Sequence, residues 1–220
     1  MENIDISKYI DHTILRADAG YKDIEKLCNE AIKNKFASVC INSCYTAYAA
    51  ELLKNTGVKV CVVVGFPLGA CSTEVKVFET DYAVKHGADE IDMVINIGML
   101  KSNNFEYVYN DIVQVVKAAG NFAKVKVIIE TCLLNDKEKI NICELIKETG
   151  AAFVKTSTGF SNSGATVNDV KLMKSIVGNN IGVKAAGGIK TYDEAVEMIT
   201  AGANRIGTSK GVSLLKNRKL

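Results

Sequence analysis

Ile181-Gly182-Val183-Lys184-Ala185-Ala186-Gly187-Gly188 is the stretch on which the fold turns. It reads as a short strand ending in a glycine pair. Thr191 and Glu194 then have the spacing of a helix capping box, Gly202 stands where that helix should stop, and a second strand-like run, Arg205 to Thr208, follows. A strand, a helix and another strand in close succession form the unit of a parallel sheet, because parallel neighbours need a crossover between them.

Working outward, the same punctuation recurs. Apolar or β-branched runs occupy Ser38 to Ile41, Val58 to Phe66, Ile91 to Ile97, Val125 to Thr131 and Phe153 to Thr156, and Tyr9 to Thr13 offers a short first strand. Between them the period becomes helical. Ile24, Leu27, Cys28, Ala31 and Ile32 share a face, as do Tyr45, Tyr48, Ala49, Leu52 and Leu53, and Val108, Ile112, Val115, Val116 and Ala119. Gly57, Gly87, Gly120, Gly150 and Gly178 stand at the expected helix ends. Eight β-then-α units predict an α/β protein, a (β/α)8 barrel with an extra N-terminal segment, formed as one domain over residues 1–220. The alternative is an open doubly wound sheet, disfavoured because no G-x-G-x-x-G follows the first strand.

Composition narrows the function. With 27 basic and 25 acidic residues interspersed, the net charge of +2 leaves no sustained footprint for nucleic acid or an anionic membrane. No apolar run approaches the roughly 20 residues of a membrane span. Met1 to Asp5 lacks the basic and apolar regions of a secretory signal, so a soluble, cytoplasmic protein is expected. The cysteines, Cys28, Cys40, Cys44, Cys61, Cys71, Cys132 and Cys143, contain no C-x-x-C pair and read as reduced packing residues. Cys40 and Cys44 lack companion ligands, with His12 and His86 far apart in sequence, so no metal is expected.

Two lysines sit where a lysine is expensive to keep. Lys155 interrupts Ala151-Ala152-Phe153-Val154, and Lys184 lies inside the opening stretch. Burial and a neighbouring cation both disfavour an ammonium, so such a pair can leave one amine neutral and nucleophilic, as Schiff-base chemistry requires. In a barrel, reactive groups belong at the C-terminal ends of the strands. Lys155 and Lys184 come late enough to face that mouth, whereas Lys59, Lys124 and Lys126 precede or open their runs and read as solvated bottom-rim residues. Alternation puts Phe153, Lys155 and Ser157 on one face and Asp92, Val94 and Asn96 on another shared face. If both sets point into the barrel, Asp92 and the two amines converge on one small volume; otherwise Asp92 is a purely structural ion-pair partner of a lysine.

Asp11 and His12 are adjacent, hence on opposite faces of a strand, and a structural polar cluster is favoured over a dyad. Thr158-Gly159, Gly187-Gly188 and Gly207-Thr208-Ser209 follow the last three strands. They fit either a phosphate site built from backbone amides or simple turn geometry. Ser157 and Ser161 lack a G-x-S-x-G elbow, which speaks against acyl transfer.

Asp11-His12-Thr13, Gly65-Phe66-Pro67-Leu68-Gly69, Glu90 to Asn96, Val154-Lys155-Thr156-Ser157-Thr158-Gly159 and Val183 to Gly188 together resemble the deoxyribose-phosphate aldolases, in order and over nearly the whole chain. The resemblance implies a metal-free and cofactor-free class I aldolase that reversibly cleaves 2-deoxy-D-ribose 5-phosphate to acetaldehyde and D-glyceraldehyde 3-phosphate. It implies Lys155 as the Schiff-base lysine, Lys184 as the second lysine that lowers the pKa of the first, and Asp92 as the proton-transfer aspartate. Gly159, Gly187, Gly188, Gly207 and Ser209 match the family's phosphate loops.

Three positions depart from the family pattern. Lys210 stands where a second serine is common and offers the phosphate a cation. Ser43 stands where many relatives have proline. The end, Leu215-Lys216-Asn217-Arg218-Lys219-Leu220, lacks the C-terminal tyrosine that some members use in proton transfer. The partner expected is a small sugar phosphate, with a homo-oligomer, dimer or larger, suggested by the resemblance. The rival readings are another phosphate-binding barrel enzyme and a catalytically silent sugar-phosphate binder.

Overall fold

The computed structural model describes residues 4–216 and contains eight parallel strands closed into a barrel in chain order, with the last hydrogen-bonded to the first. The strands are β1 (Ile10–Thr13), β2 (Ser38–Ile41), β3 (Lys59–Val64), β4 (Glu90–Val94), β5 (Lys124–Ile128), β6 (Phe153–Lys155), β7 (Gly182–Ala186) and β8 (Arg205–Thr208). A single 3-10 turn, Ser7–Tyr9, precedes β1 as the extra N-terminal segment. The helices are α1 (Tyr21–Asn34), α2 (Thr46–Leu53), α3 (Thr73–Lys85), α4 (Ile97–Lys101), α5 (Phe105–Ala119), α6 (Asp136–Lys147), α7 (Val167–Val177), α8 (Tyr192–Thr200) and α9 (Gly211–Lys216). None of the described helices is long and apolar enough to cross a membrane.

Two-residue alternation splits each strand between two environments. Val39, Ile41, Val60, Val62, Ile91, Met93, Val125, Val127, Val154, Val183 and Ile206 point outward into one continuous core against the helices. The helix faces read from the sequence meet them there: Ile24, Leu27, Cys28 and Ala31 on α1, and Val108, Ile112, Val115 and Ala119 on α5, are buried in that core. Gly57, Gly87, Gly120, Gly150, Gly178 and Gly202 all have positive φ, and Thr191 with Glu194 forms a reciprocal capping box.

The observed strands are shorter than the apolar runs for identifiable reasons. Asn96 does not continue β4; its side chain accepts a hydrogen bond from Met99 N and caps α4, so Ile97 is already helical. Glu130 takes a left-handed backbone at φ 53° and ends the run after β5, and Thr131 opens a 3-10 turn.

Candidate active site

The inner faces of the strands carry charge. Near the bottom, Arg205 on β8 binds Glu90 with Nη2–Oε1 at 2.7 Å and also binds Asp11, while its guanidinium lies 5.6 Å from the Phe153 ring centroid. One layer up, Lys126 Nζ sits 2.6 Å from Glu90 Oε2 and 3.0 Å from Asp92 Oδ1. At the top, Asp92 Oδ2 receives Lys155 Nζ at 2.7 Å and Lys184 Nζ at 2.6 Å, and Lys184 reaches Asp11 Oδ2 at 2.5 Å. The three groups singled out in the sequence therefore converge on one carboxylate oxygen. Parallel register explains how, since Lys155 pairs with Lys184 across β6 and β7 while Asp92 stands two strands away on β4.

Lys126 corrects the sequence reading. It is fully buried between three carboxylates, whereas Lys59 and Lys124 are exposed as expected. The strand starts at Lys124, so Lys126 is its third residue and stands level with Asp92, its register partner. Opening an apolar run did not mean lying at the rim.

Asp11 and His12 do face opposite ways. His12 lies outside the barrel with Nε2 2.8 Å from Glu30 Oε2, edge-on to Phe36. Asp11 lies inside and belongs to the site, a placement the preference for a structural cluster understated. Cys40 and Cys61 are also more than packing. Cys61 donates to Asp92 Oδ1 at 3.1 Å and accepts from Lys126 at 3.2 Å, and Cys40 lies 3.9 Å from Oδ2. Period-two alternation was a usable signal for Glu90, which stands two residues before Asp92 on the same strand.

Burial opposes charge throughout, yet here the neighbours win. Burial works against the Asp92 carboxylate, but Lys126, Lys155 and Lys184 outweigh it and hold the group well below the usual carboxylate range. Asp11 is likewise held down, by Lys184, Lys126 and Arg205 against its own desolvation. Against the same penalty, Asp11 and Asp92 hold Lys184 above an ordinary lysine, and Asp92 with its neighbours does so for Lys126. Two donor groupings, Cys40–Cys61–Asp92 and Asp11–Cys61–Glu90, gather their atoms within 4.8 Å as a metal site would. In both, the carboxylates already hold lysine ammonium groups.

Above this cluster the mouth of the barrel opens into a cavity of about 370 Å³ whose lining includes Lys155, Gly159, Gly187, Gly188, Gly207 and Ser209, with Lys210 at its edge. Gly187 has φ 83°, and a Cβ there would come within 2.9 Å of Gly164 Cα, so only glycine lets the loop after β6 cross the end of β7. That loop is anchored from below. Glu130, a residue the sequence did not suggest, accepts from Thr158 Oγ1 at 2.5 Å and from the Thr158 amide, while Thr131 N donates to Thr156 O. The segment following Lys155 is thereby tied to β5. The C-terminal residues 217–220, where the missing tyrosine was noted, lie outside the described residues.

Amines and carboxylates converging at the C-terminal mouth of an eight-stranded parallel barrel, beneath a glycine-lined cavity, define a barrel enzyme. A family model described as DeoC/LacD family aldolase matches residues 6–218. The deoxyribose-phosphate aldolase of Thermococcus kodakarensis is 58% identical over 219 residues, spanning 98% of this chain and 98% of its own. That of Clostridium tetani is 56% identical over 216 residues, 98% of this chain and 100% of its own. A solved structure from Aeropyrum pernix, described as a unique tetrameric structure of deoxyribose phosphate aldolase, superposes with a TM-score of 0.90 at 36% identity, covering 96% of this chain and 89% of that one. The chain belongs to the DeoC/LacD family of aldolases.

Proposed function

We propose that this aldolase reversibly cleaves 2-deoxy-D-ribose 5-phosphate to D-glyceraldehyde 3-phosphate and acetaldehyde through a Schiff base on Lys155. The observation that carries the reading is the sharing of Asp92 Oδ2 by Lys155 and Lys184 at 2.7 and 2.6 Å. Among the described residues, Asp11, Glu90 and Asp92 face Lys126, Lys155, Lys184 and Arg205, so the cations outnumber the carboxylates by one. Lys184 has a second carboxylate partner in Asp11, which it shares with Arg205 and Lys126, whereas Lys155 has only the shared Asp92 oxygen and borders the cavity. Lys155 is therefore the amine assigned to nucleophilic attack, and Lys184 the neighbour that stays charged.

Lys155 adds to the aldehyde carbon of the open-chain sugar to form a carbinolamine. Protonation of its hydroxyl by way of Asp92 releases water and leaves an iminium, which serves as the electron sink. Loss of the C3 hydroxyl proton breaks the C2–C3 bond and frees glyceraldehyde phosphate. The remaining enamine takes a proton at carbon, and water hydrolyses the new iminium to acetaldehyde and free Lys155. Gly159, Gly187, Gly188, Gly207 and Ser209, with Lys210, are assigned to the phosphate, whose binding energy orients bonds remote from it.

Borohydride added in the presence of acetaldehyde is expected to fix a two-carbon adduct on Lys155, read by peptide mass spectrometry. An unmodified Lys155 in protein that turns over deoxyribose phosphate would overturn the assignment, and product analysis separates this reaction from that of another sugar-phosphate barrel. Assembly with further copies is part of the same reading. Leu68 and, along one side of α3, Val75, Phe78 and Tyr82 are exposed apolar groups, and the Aeropyrum pernix relative is described as a tetramer. Light scattering on the purified chain tests it.

A further inference from the structure

We propose that Cys40 and Cys61 form a redox-sensitive dithiol whose oxidation by a peroxide to a disulfide reversibly shuts the site. The two residues are register partners on β2 and β3, both fully buried on the inner face in a small cluster packed by Leu15 and Phe66. Their sulfurs and an Asp92 oxygen lie within 4.8 Å of one another. Paired neighbouring strands run about 4.8 Å apart, inside the roughly 4.4–6.8 Å Cα window of a disulfide. Of the other cysteines, Cys28 and Cys143 are buried, with desolvation pushing their thiols up to about 11 and about 12, and Cys44 is exposed.

The two thiols differ in a way that assigns their roles. A hydrogen bond with Cys61, helped by the charge of Lys184 and opposed by burial, holds the Cys40 thiol below its ordinary value. Burial, Cys40 and Asp92 push the Cys61 thiol well above it. Cys40 is therefore the attacking thiolate and Cys61 the resolving thiol. The mouth cavity is near: Lys155 borders it, and the Asp92 oxygen that Lys155 binds at 2.7 Å is 3.9 Å from Cys40 Sγ, so a peroxide entering there has only this one layer of side chains to cross.

The chemistry balances with a peroxide as the named oxidant. The Cys40 thiolate attacks one oxygen of hydrogen peroxide; an S–O bond forms, the O–O bond breaks and hydroxide leaves. Cys61 attacks the sulfenic sulfur, the S–S bond forms, and the sulfenic oxygen departs with the Cys61 proton as water. Overall two thiols and one peroxide give one disulfide and two waters. Drawing the sulfurs to about 2.05 Å takes the thiol donor from Asp92 Oδ1 and the sulfur acceptor from Lys126, which re-aims the carboxylate between Lys155 and Lys184. The effect on turnover rests on the proposed aldolase reaction; the disulfide itself does not.

The test treats reduced, full-length protein with hydrogen peroxide, alkylates the remaining thiols and maps the peptides by mass spectrometry. Deoxyribose-phosphate cleavage and borohydride trapping with acetaldehyde are followed in parallel. A Cys40–Cys61 linked peptide is expected to grow in step with a loss of roughly 10²-fold in turnover, the scale of an ångström-sized misplacement, and dithiothreitol is expected to reverse both. In Cys61→Ala and Cys61→Ser, compared with their own untreated activity, Cys40 is expected to run on to sulfinic acid and the loss to become irreversible. Inactivation with Cys40 and Cys61 still alkylatable, or with oxidation confined to exposed Cys44, overturns the proposal, as does a linked peptide with undiminished trapping. A linked peptide in protein that never cleaves deoxyribose phosphate would leave the disulfide standing and remove the proposed reaction instead.

Discussion

Ile91, Asp92 and Met93 are consecutive, and all three are fully buried. They nevertheless belong to two different interiors. Ile91 and Met93 point outward into the apolar core between sheet and helices. Asp92 points inward, where Lys126, Lys155 and Lys184 all come within 3.0 Å of its carboxylate. The outer interior is held by non-directional burial and tolerates changes of shape. The inner one is a chain of ion pairs in which each charge is bearable only because its partners are present. Apolar burial is concentrated on one face of the strands, and the charges with the proposed chemistry on the other.

Substitutions can break that division, beginning with the largest expected effect. Lys155→Met is expected to lower turnover by about 10³-fold or more and abolish trapping, while leaving a folded protein by circular dichroism, since Lys126, Lys184 and Arg205 still match Asp11, Glu90 and Asp92. Asp92→Asn leaves three lysines without their common carboxylate. Steady-state kinetics should show a loss of roughly 10²–10⁴-fold, and urea unfolding a loss of about 3–5 kcal/mol. Lys126→Met takes one cation from Glu90 and Asp92, which keep Arg205 and the other two lysines, so stability should fall by less than in Asp92→Asn, with a smaller loss of turnover as well. Ile91→Val, one residue from Asp92, should cost only about 0.5–1.5 kcal/mol and leave kcat unchanged; a large kinetic effect there would break the division between faces.

The pH dependence of stability sharpens the same point. The carboxyls of Asp11 and Asp92 are lower in the folded protein than in the unfolded chain. Their contribution is therefore complete above about pH 4 and is lost as pH falls below it. Lys126 and Lys184 are raised, so theirs is complete below about pH 10 and is lost as pH rises further. Urea midpoints across both limbs should show Asp92→Asn with a flattened acid limb, Lys126→Met with a flattened alkaline one, and Ile91→Val parallel to wild type.

The barrel was legible because each β-then-α unit carries its own local marks, a β-branched run, a helical period and a glycine stop, and eight such units in succession leave few ways to close. Lys155, Lys184 and Asp92 were legible because a charge inside an apolar run announces burial that a partner must offset. Lys126 was misread because a lysine near the start of a run looks the same whether the strand begins with it or two residues earlier. Glu130 carried no pattern at all, since its role depends on a left-handed backbone and a loop 28 residues away. Arg205 and Asp11, 194 residues apart, meet only because β8 pairs with β1.

By itself the sequence determined which residues alternate, where helices start and stop, and that two amines would have to be kept out of water, because these follow from spacings within a few residues. Which charges neutralise which, that Lys184 gains Asp11 as a second partner while Lys155 has Asp92 alone, and that two cysteines lie beside the same carboxylate were decided by tertiary structure. Closing the ring fixes the height at which each strand presents its inner side chains, and a buried ion pair depends on ångström distances that no local pattern encodes.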